Sequence, residues 1–258
     1  MRTRGGSKQA RILKFGQVYK MGHSVKLPQA ELTFRKQLPA ATLVMTAGGR
    51  PPAKDWILQT VKDVPLWCID SGIHICRQTG LTPARIIGDG DSASPEAWSW
   101  GKSLGIPVEI HPADKDYTDF QLALLRAKSI YGPAVAVVTG VWGGRFDHAF
   151  SNIQSLAGWE ELGGGKGIAA DESEVMFFIA EQDAVTIKAE VKPDIISLLS
   201  LTDCCSGVTI EGVRWPLQKT ELRRNLPYAI SNQPRGDGRE VSVSVASGLL
   251  GVYLQWTP

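Results

Sequence analysis

Three acidic segments carry carboxylates at spacings suited to a divalent cation: Gly88-Asp89-Gly90-Asp91-Ser92, Asp114-Lys115-Asp116-Tyr117-Thr118-Asp119, and Gly143-Gly144-Arg145-Phe146-Asp147-His148. Each follows an apolar run, and a further acid, Asp70, closes the run Leu66-Trp67-Cys68-Ile69. Carboxylates gathered where strands end are how an α/β sheet holds Mg²⁺ and, through it, a polyphosphate. Asp89 and Asp91 lie two apart and project to one side if the backbone stays extended, although a G-D-x-D-S segment taken alone is more often an Asx turn leading into a helix. Asp119 opens a helical pattern, where the helix dipole favours an acid with no metal at all. Brought together without a cation, Asp70, Asp89, Asp91 and Asp119 would repel and raise one another's pKa, so a divalent ion is the economical explanation of the set.

Gly143-Gly144-Arg145 joins a strand to a helix, and its backbone N–H groups and guanidinium suit a phosphate. Asp147 and His148 fall in that helix's first turn, where a lone histidine is usually a surface or capping residue. The chain has no G-x-x-x-x-G-K-[ST] segment, no G-x-S-x-G elbow and no cysteine placed to pair with a nearby histidine. Direct transfer between two bound substrates is therefore simpler than a covalent intermediate. Trp215, beside Pro216 at an expected strand end, suits stacking on a flat heteroaromatic cation or ordinary core packing. Ser231-Asn232 marks another turn.

These residues need a scaffold. Apolar runs at 41–47, 66–69, 84–87, 108–111 and 134–139 alternate with helical patterns at 55–61, 72–78, 95–104, 119–131 and 146–159. That rhythm predicts a Rossmann-like α/β domain over 41–164, a mostly parallel sheet with flanking helices and ligand loops at the strand C-termini. Ser94-Pro95 supplies a cap and a first-turn proline, and Thr118 with Gln121 forms a capping-box pattern that aims Asp119 at the sheet edge. After Gly163-Gly164-Gly165 the pattern turns to strands at 166–170, 175–179, 184–188, 195–200, 207–215, 241–245 and 249–256. They predict a smaller all-β sandwich over 165–258.

Residues 1–40 carry nine Lys or Arg against the single acid Glu31, whereas the whole chain is only +2. They read as a basic extension, solvated or anion-binding, in which 1–8 are disordered and 11–18 with 25–34 form a short hairpin or an arm. Hydrophobic residues at 43% and charged ones at 21% are those of a soluble globular protein. No apolar run approaches the roughly 18 residues of a membrane span, and the N-terminus lacks a signal-peptide pattern. Four cysteines without metal-ligand spacing point to a reducing cytoplasm.

Taken in order, the segments resemble the thiamine pyrophosphokinase (thiamine diphosphokinase) family. Its pattern runs A-D-G-G-A, G-D-x-D-S, D-x-x-x-T-D-F, G-G-R-x-D-H, then a β domain with G-[VL]-x-W/Y-x-L and an S-N dipeptide. Here these stand as Ile69-Asp70-Ser71-Gly72-Ile73, Gly88 to Ser92, Asp114 or Asp116 to Phe120, Gly143 to His148, Gly212 to Leu217, and Ser231-Asn232. The resemblance implies an ATP- and Mg²⁺-dependent catalytic domain, a thiamine-binding β-sandwich, and a homodimer with active sites between subunits. The reaction would convert ATP and thiamine into thiamine diphosphate and AMP. Asp70, Asp89, Asp91 and Asp119 resemble the metal-binding and catalytic acids, Asp116, Thr118, Arg145, Asp147 and His148 the nucleotide contacts, and Trp215, Ser231 and Asn232 the thiamine contacts. Ser71 and Ile73 depart from the usual Gly and Ala, with possible consequences for the acceptor pocket, and Lys115 stands where Gln is common. Two other readings are a pyrophosphokinase for another alcohol, such as a hydroxymethylpterin, and a non-catalytic thiamine diphosphate or nucleotide sensor whose basic arm contacts nucleic acid. Trp215 and Ser231-Asn232 argue against the first; retention of all four acids argues against the second.

Overall fold

The computed structural model describes residues 23–112, 114 and 116–257; the expectations for 1–8, 11–18 and Lys115 lie outside these. The chain opens with β1 (Ser24–Leu27), β2 (Ala30–Phe34), β3 (Ala41–Thr46), α1 (Lys54–Thr60), β4 (Leu66–Ile69), a 3₁₀ turn over Asp70–Gly72, α2 (Ile73–Thr79) and β5 (Arg85–Gly88). Next come α3 (Pro95–Ser103), β6 (Val108–Ile110), α4 (Asp119–Tyr131), β7 (Ala134–Thr139), α5 (Phe146–Ala157), β8 (Gly165–Ala170) and β9 (Glu174–Ala180). The remainder is β10 (Ala184–Ala189), β11 (Ile195–Ser200), β12 (Cys204–Glu211), β13 (Leu217–Arg223), β14 (Glu240–Ser244) and β15 (Leu249–Gln255).

Two sheets result. Nine strands pair in the order β11-β15-β9-β8-β7-β3-β4-β5-β6, and six in the order β1-β2-β10-β14-β12-β13. From β8 to β6 every pairing is parallel. β7, Ala-Val-Ala-Val-Val-Thr, is buried at every position, as a strand covered on both faces must be. One face packs on α1, α2 and α3 through Trp56, Ile57, Ile73, Cys76 and Ala97. The other packs on α4 and α5 through Phe120, Ala123, Leu124, Ala127 and Leu156.

The β-rich half is no separate sandwich. β8, β9, β15 and β11 extend the α/β sheet, antiparallel from β9 outward, and the six-stranded sheet packs over that extension in one continuous core. Phe34 meets Phe177 edge-on at 5.6 Å. Of the two options for residues 25–34 the structure has the hairpin, and it is built into the core: β2 pairs with β10, and Leu32 and Phe34 are buried. The strand expected at 207–215 is instead β12, ending at Glu211, because Gly212 takes a left-handed φ of 79° and turns the chain. β13 was not expected: an edge strand whose sequence, Leu-Gln-Lys-Thr-Glu-Leu-Arg, is mostly exposed and lacks apolar alternation.

Candidate active site

Parallel strands bring their C-terminal ends to one edge, and there the acids meet. Asp70 leaves β4 with a φ of 46°, a left-handed conformation that non-glycine residues adopt rarely, and enters the 3₁₀ turn. β5 ends alongside at Gly88, where an added Cβ would lie 2.9 Å from the Asp70 Cα; a glycine lets the two strand ends close up. Asp89 follows at once. Asp119 arrives on the first turn of α4, fixed by the capping box in which Thr118 Oγ1 accepts from the Gln121 N–H at 3.2 Å and the Thr118 N–H donates to Gln121 Oε1 at 3.1 Å. Oxygens of Asp70, Asp89 and Asp119 all lie within 4.8 Å of one another.

Asp91 is outside that group. It is exposed, and its N–H donates to Asp89 Oδ1 at 3.1 Å, the Asx turn such a segment favours. Ser92 Oγ instead reaches back to donate to Asp70 Oδ2. Burial pushes the Asp70 carboxyl above its ordinary range; the Ser92 hydrogen bond opposes this, and the charges of Asp119 and Asp89 add to it. Asp70 Oδ1 is buried without a hydrogen-bond partner. A buried carboxylate oxygen lacking a donor, beside two further carboxylates, is what a hard divalent cation ligated by oxygen would satisfy, and Mg²⁺ fits this donor set.

Beside the acids, β7 runs into Gly143-Gly144-Arg145, both glycines at positive φ, and then into α5. Arg145 Nε donates to Asp147 Oδ1 at 3.1 Å, and this guanidinium holds the Asp147 carboxyl below its usual range. His148 is exposed; its N–H also donates to Asp147 Oδ1. Asp116 and Thr118 are exposed on the approach to α4. Phe146 and Phe150 stack at 5.9 Å on the open face of α5, 80% and 54% exposed, an apolar surface of the kind that marks a partner or ligand.

Ile73 is fully buried against Gly101 and Ile86, and the Ser71 hydroxyl sits over Gly48, where a Cβ would come within 1.9 Å of it.

In the β-rich half Trp215 lies in the turn between β12 and β13, 52% exposed rather than in the core. Its N–H donates to Asn232 Oδ1 at 3.2 Å, and Asn232 Nδ2 donates to the Trp215 carbonyl at 2.7 Å. Asn232 itself bridges to Ile196 of β11, and the Ser231 N–H donates to Ser197 Oγ at 3.0 Å. The two turns frame a cavity of about 230 Å³ lined by Leu198, Ile210, Trp215, Leu217, Tyr228, Ile230 and Asn232. The Arg214 guanidinium lies 4.6 Å from the centre of the Trp215 ring, so this ring already receives a flat cation. Sequence reasoning missed Arg214 and Tyr228; the Arg-Trp pair was the available signal for the first. A second cavity of about 400 Å³, lined among others by Lys26, Thr42, Lys62 and Val135, sits toward the N-terminal ends of β3 and β7 and contains none of the acids.

Known proteins share both halves. Residues 59–162 match the family model described as thiamin pyrophosphokinase, catalytic domain, and residues 184–250 match thiamin pyrophosphokinase, vitamin B1 binding domain. A thiamine pyrophosphokinase of Bacillus subtilis is 25% identical over 194 residues, covering 74% of this chain and 89% of that protein. Among solved structures, a thiamine pyrophosphokinase from Bacillus subtilis superposes with a TM-score of 0.74 at 22% identity, covering 84% of this chain and 100% of that one. The thiamin pyrophosphokinase from Candida albicans gives 0.70 at 14% identity, covering 84% and 89%.

Proposed function

The chain belongs to the thiamin pyrophosphokinase family, and from that membership we propose that it transfers the diphosphoryl group of ATP to the hydroxyl of thiamine, giving thiamine diphosphate and AMP. The observation that carries this reading is the convergence of Asp70, Asp89 and Asp119 at the strand edge beside Gly143-Gly144-Arg145. Residues 41–164 act as the ATP unit; residues 165–258, completed by the β1–β2 hairpin, act as the thiamine unit.

Asp70, Asp89 and Asp119 would hold Mg²⁺, with Asp91 on the rim of the same turn. Mg²⁺, when bound, neutralises polyphosphate charge. Arg145 exchanges its contact with Asp147 for a phosphate oxygen, and the N–H groups at the start of α5 face the same anion; Asp116, Thr118 and His148 border it. The thiamine oxygen bonds to the β-phosphorus as its O–H proton passes to solvent, the bond from that phosphorus to the α-phosphate bridging oxygen breaks, and AMP leaves with its electrons. No protein nucleophile is needed, so the side chains align and neutralise. Trp215, held by Asn232 and buttressed through Ser231, offers its face to the cationic ring of thiamine in place of Arg214.

Two sites of one reaction must meet, and the strand order sets these two apart within one chain. β4, which delivers Asp70, and β11, beyond which Asn232 lies, stand six strand steps apart in the nine-stranded sheet, roughly 29 Å at the usual inter-strand spacing. No vitamin-sized molecule bridges that span. A homodimer in which the Trp215 turn of one copy faces the acids of the other removes the difficulty, and the exposed Phe146–Phe150 face beside Arg145 supplies apolar surface for it. ATP supply and four free cysteines suit a cytoplasmic setting.

The test is AMP release from ATP and Mg²⁺ with and without thiamine, with mass spectrometry of the product. Thiamine-dependent AMP together with thiamine diphosphate is expected. AMP formed only with another alcohol would overturn the acceptor, and thiamine binding without AMP would leave a sensor.

A further inference from the structure

The chain carries Gly-Gly-Arg twice, at 48–50 and 143–145, just after the adjacent parallel strands β3 and β7. The two turns are bonded to each other. The Gly49 N–H donates to the Gly140 carbonyl at 2.8 Å and the Arg50 N–H to the Trp142 carbonyl at 2.5 Å. A Cβ on Gly49 would lie 2.2 Å from the Trp142 oxygen, and one on Gly143 would lie 3.1 Å from the Arg50 backbone nitrogen, so neither turn can shift without the other.

The two arginines differ in what holds them. Among the described residues Arg145 pairs with its exposed neighbour Asp147. Arg50 is anchored across the sheet: Nη2 donates to Asp171 Oδ2 at 2.5 Å and to Glu174 Oε1 at 2.7 Å, and Nε also reaches Asp171 at 3.2 Å. Asp171 is fully buried, its Oδ1 accepting from the N–H groups of Ser173 and Glu174, and the Tyr253 hydroxyl donates to Glu174 Oε2 at 2.8 Å. Glu172 of the same β8–β9 turn accepts from the Ala53 N–H at 2.8 Å. Asp171, Glu172 and Glu174, around the β8–β9 turn, thus hold Arg50 and Ala53, at the end of the first Gly-Gly-Arg segment and just beyond it.

We propose that Arg50 is a positioning residue for the nucleotide: clamped to Asp171 and Glu174, it fixes the first Gly-Gly-Arg turn as the backing against which the second is held in its phosphate-receiving shape. This rests on the reading of the Gly143–Arg145 turn as a phosphate site. A side chain that reaches no substrate then governs ATP affinity, because a turn held in its bound form loses less entropy on binding.

Calorimetric titration with Mg-ATP, in the absence of thiamine, tests it. Arg50→Met should weaken the ATP Kd about tenfold, with thiamine KM unchanged, and Arg50→Lys should recover part of the loss because it keeps one charged donor. Should Arg50→Met fail to fold by circular dichroism, Glu174→Gln, which removes only one of the two partners, should weaken ATP binding in the same direction by a smaller factor. Unchanged ATP affinity in folded variants overturns the positioning role while leaving the enzyme reading intact. Parallel losses for ATP and thiamine, without rescue by lysine, overturn it too, since they mark a general structural defect. A wild-type protein that does not bind Mg-ATP overturns the phosphate site itself, and this inference with it.

Discussion

The acid edge and the Trp215 turn solve opposite problems. At the acid edge like charges are forced together on rigid strand ends: Asp70 sits in a rare backbone conformation, Gly88 lets β5 close on it, and its carboxyl is pushed upward by burial and by Asp119 and Asp89. The Trp215 region shares the left-handed backbone, Ser231 taking a φ of 58°, but there a half-exposed aromatic is held by reciprocal hydrogen bonds to one asparagine. On the proposed reading the first region crowds carboxyl groups whose repulsion a cation would relieve. On the same reading the second presents an aromatic face, covered in this structure by Arg214, to a flat cation. The division of labour we propose puts charge chemistry at one edge and recognition at the other, with a second copy bringing them together.

That contrast can be broken by substitution. Asp89→Asn should lower kcat by on the order of 10²–10³-fold, since it removes one of three converging charges, and should leave thiamine binding untouched. An equal loss of thiamine affinity would dissolve the separation. Trp215→Ala should raise the thiamine KM roughly tenfold, the worth of a desolvated cation–π contact, with the ATP KM little altered. A change confined to ATP would reverse the assignment of the two regions.

The smallest effect is on stability. Because the Asp70 pKa is raised in the folded state, the folded chain binds more protons than the unfolded one, and stability falls as pH rises from the ordinary carboxyl range through the raised value. The metal-free protein should therefore lose melting temperature across that window, and Mg²⁺ should restore it. Asp70→Asn should abolish the dependence and raise the metal-free melting temperature at neutral pH, each 1 kcal/mol relieved being worth about 2–4 °C in a chain of this size. A variant that melts lower than wild type would mean that Asp70 is not held against repulsion.

Much of the acid edge was legible in the sequence because its determinants are local. Apolar runs ending in Gly and Asp mark strand ends, and the Thr118–Gln121 box sets the start of α4. Of the two readings offered for the Asp89–Asp91 segment, extended backbone or Asx turn, the chain takes the Asx turn. The β-rich half was harder to read. Its sheets are assembled by pairings distant in sequence, β2 with β10 and β11 with β15, so the shared nine-stranded sheet and the embedded N-terminal hairpin leave no local trace. Arg50 was missed for the same reason: its partners lie 121 and 124 residues away, although the repeated Gly-Gly-Arg was in plain view.

The most direct measurement of the division between the two regions is subunit mixing. Asp89→Asn and Trp215→Ala proteins, each nearly inactive at low thiamine, are unfolded together, refolded and assayed for thiamine diphosphate. Random reassortment makes half of the dimers mixed, each with one intact site built from the unmutated edge of one copy and the unmutated turn of the other, so about one quarter of wild-type activity should return. Mixed dimers confirmed by mass spectrometry that stay inactive would show that each chain completes its own site, and would contradict the account.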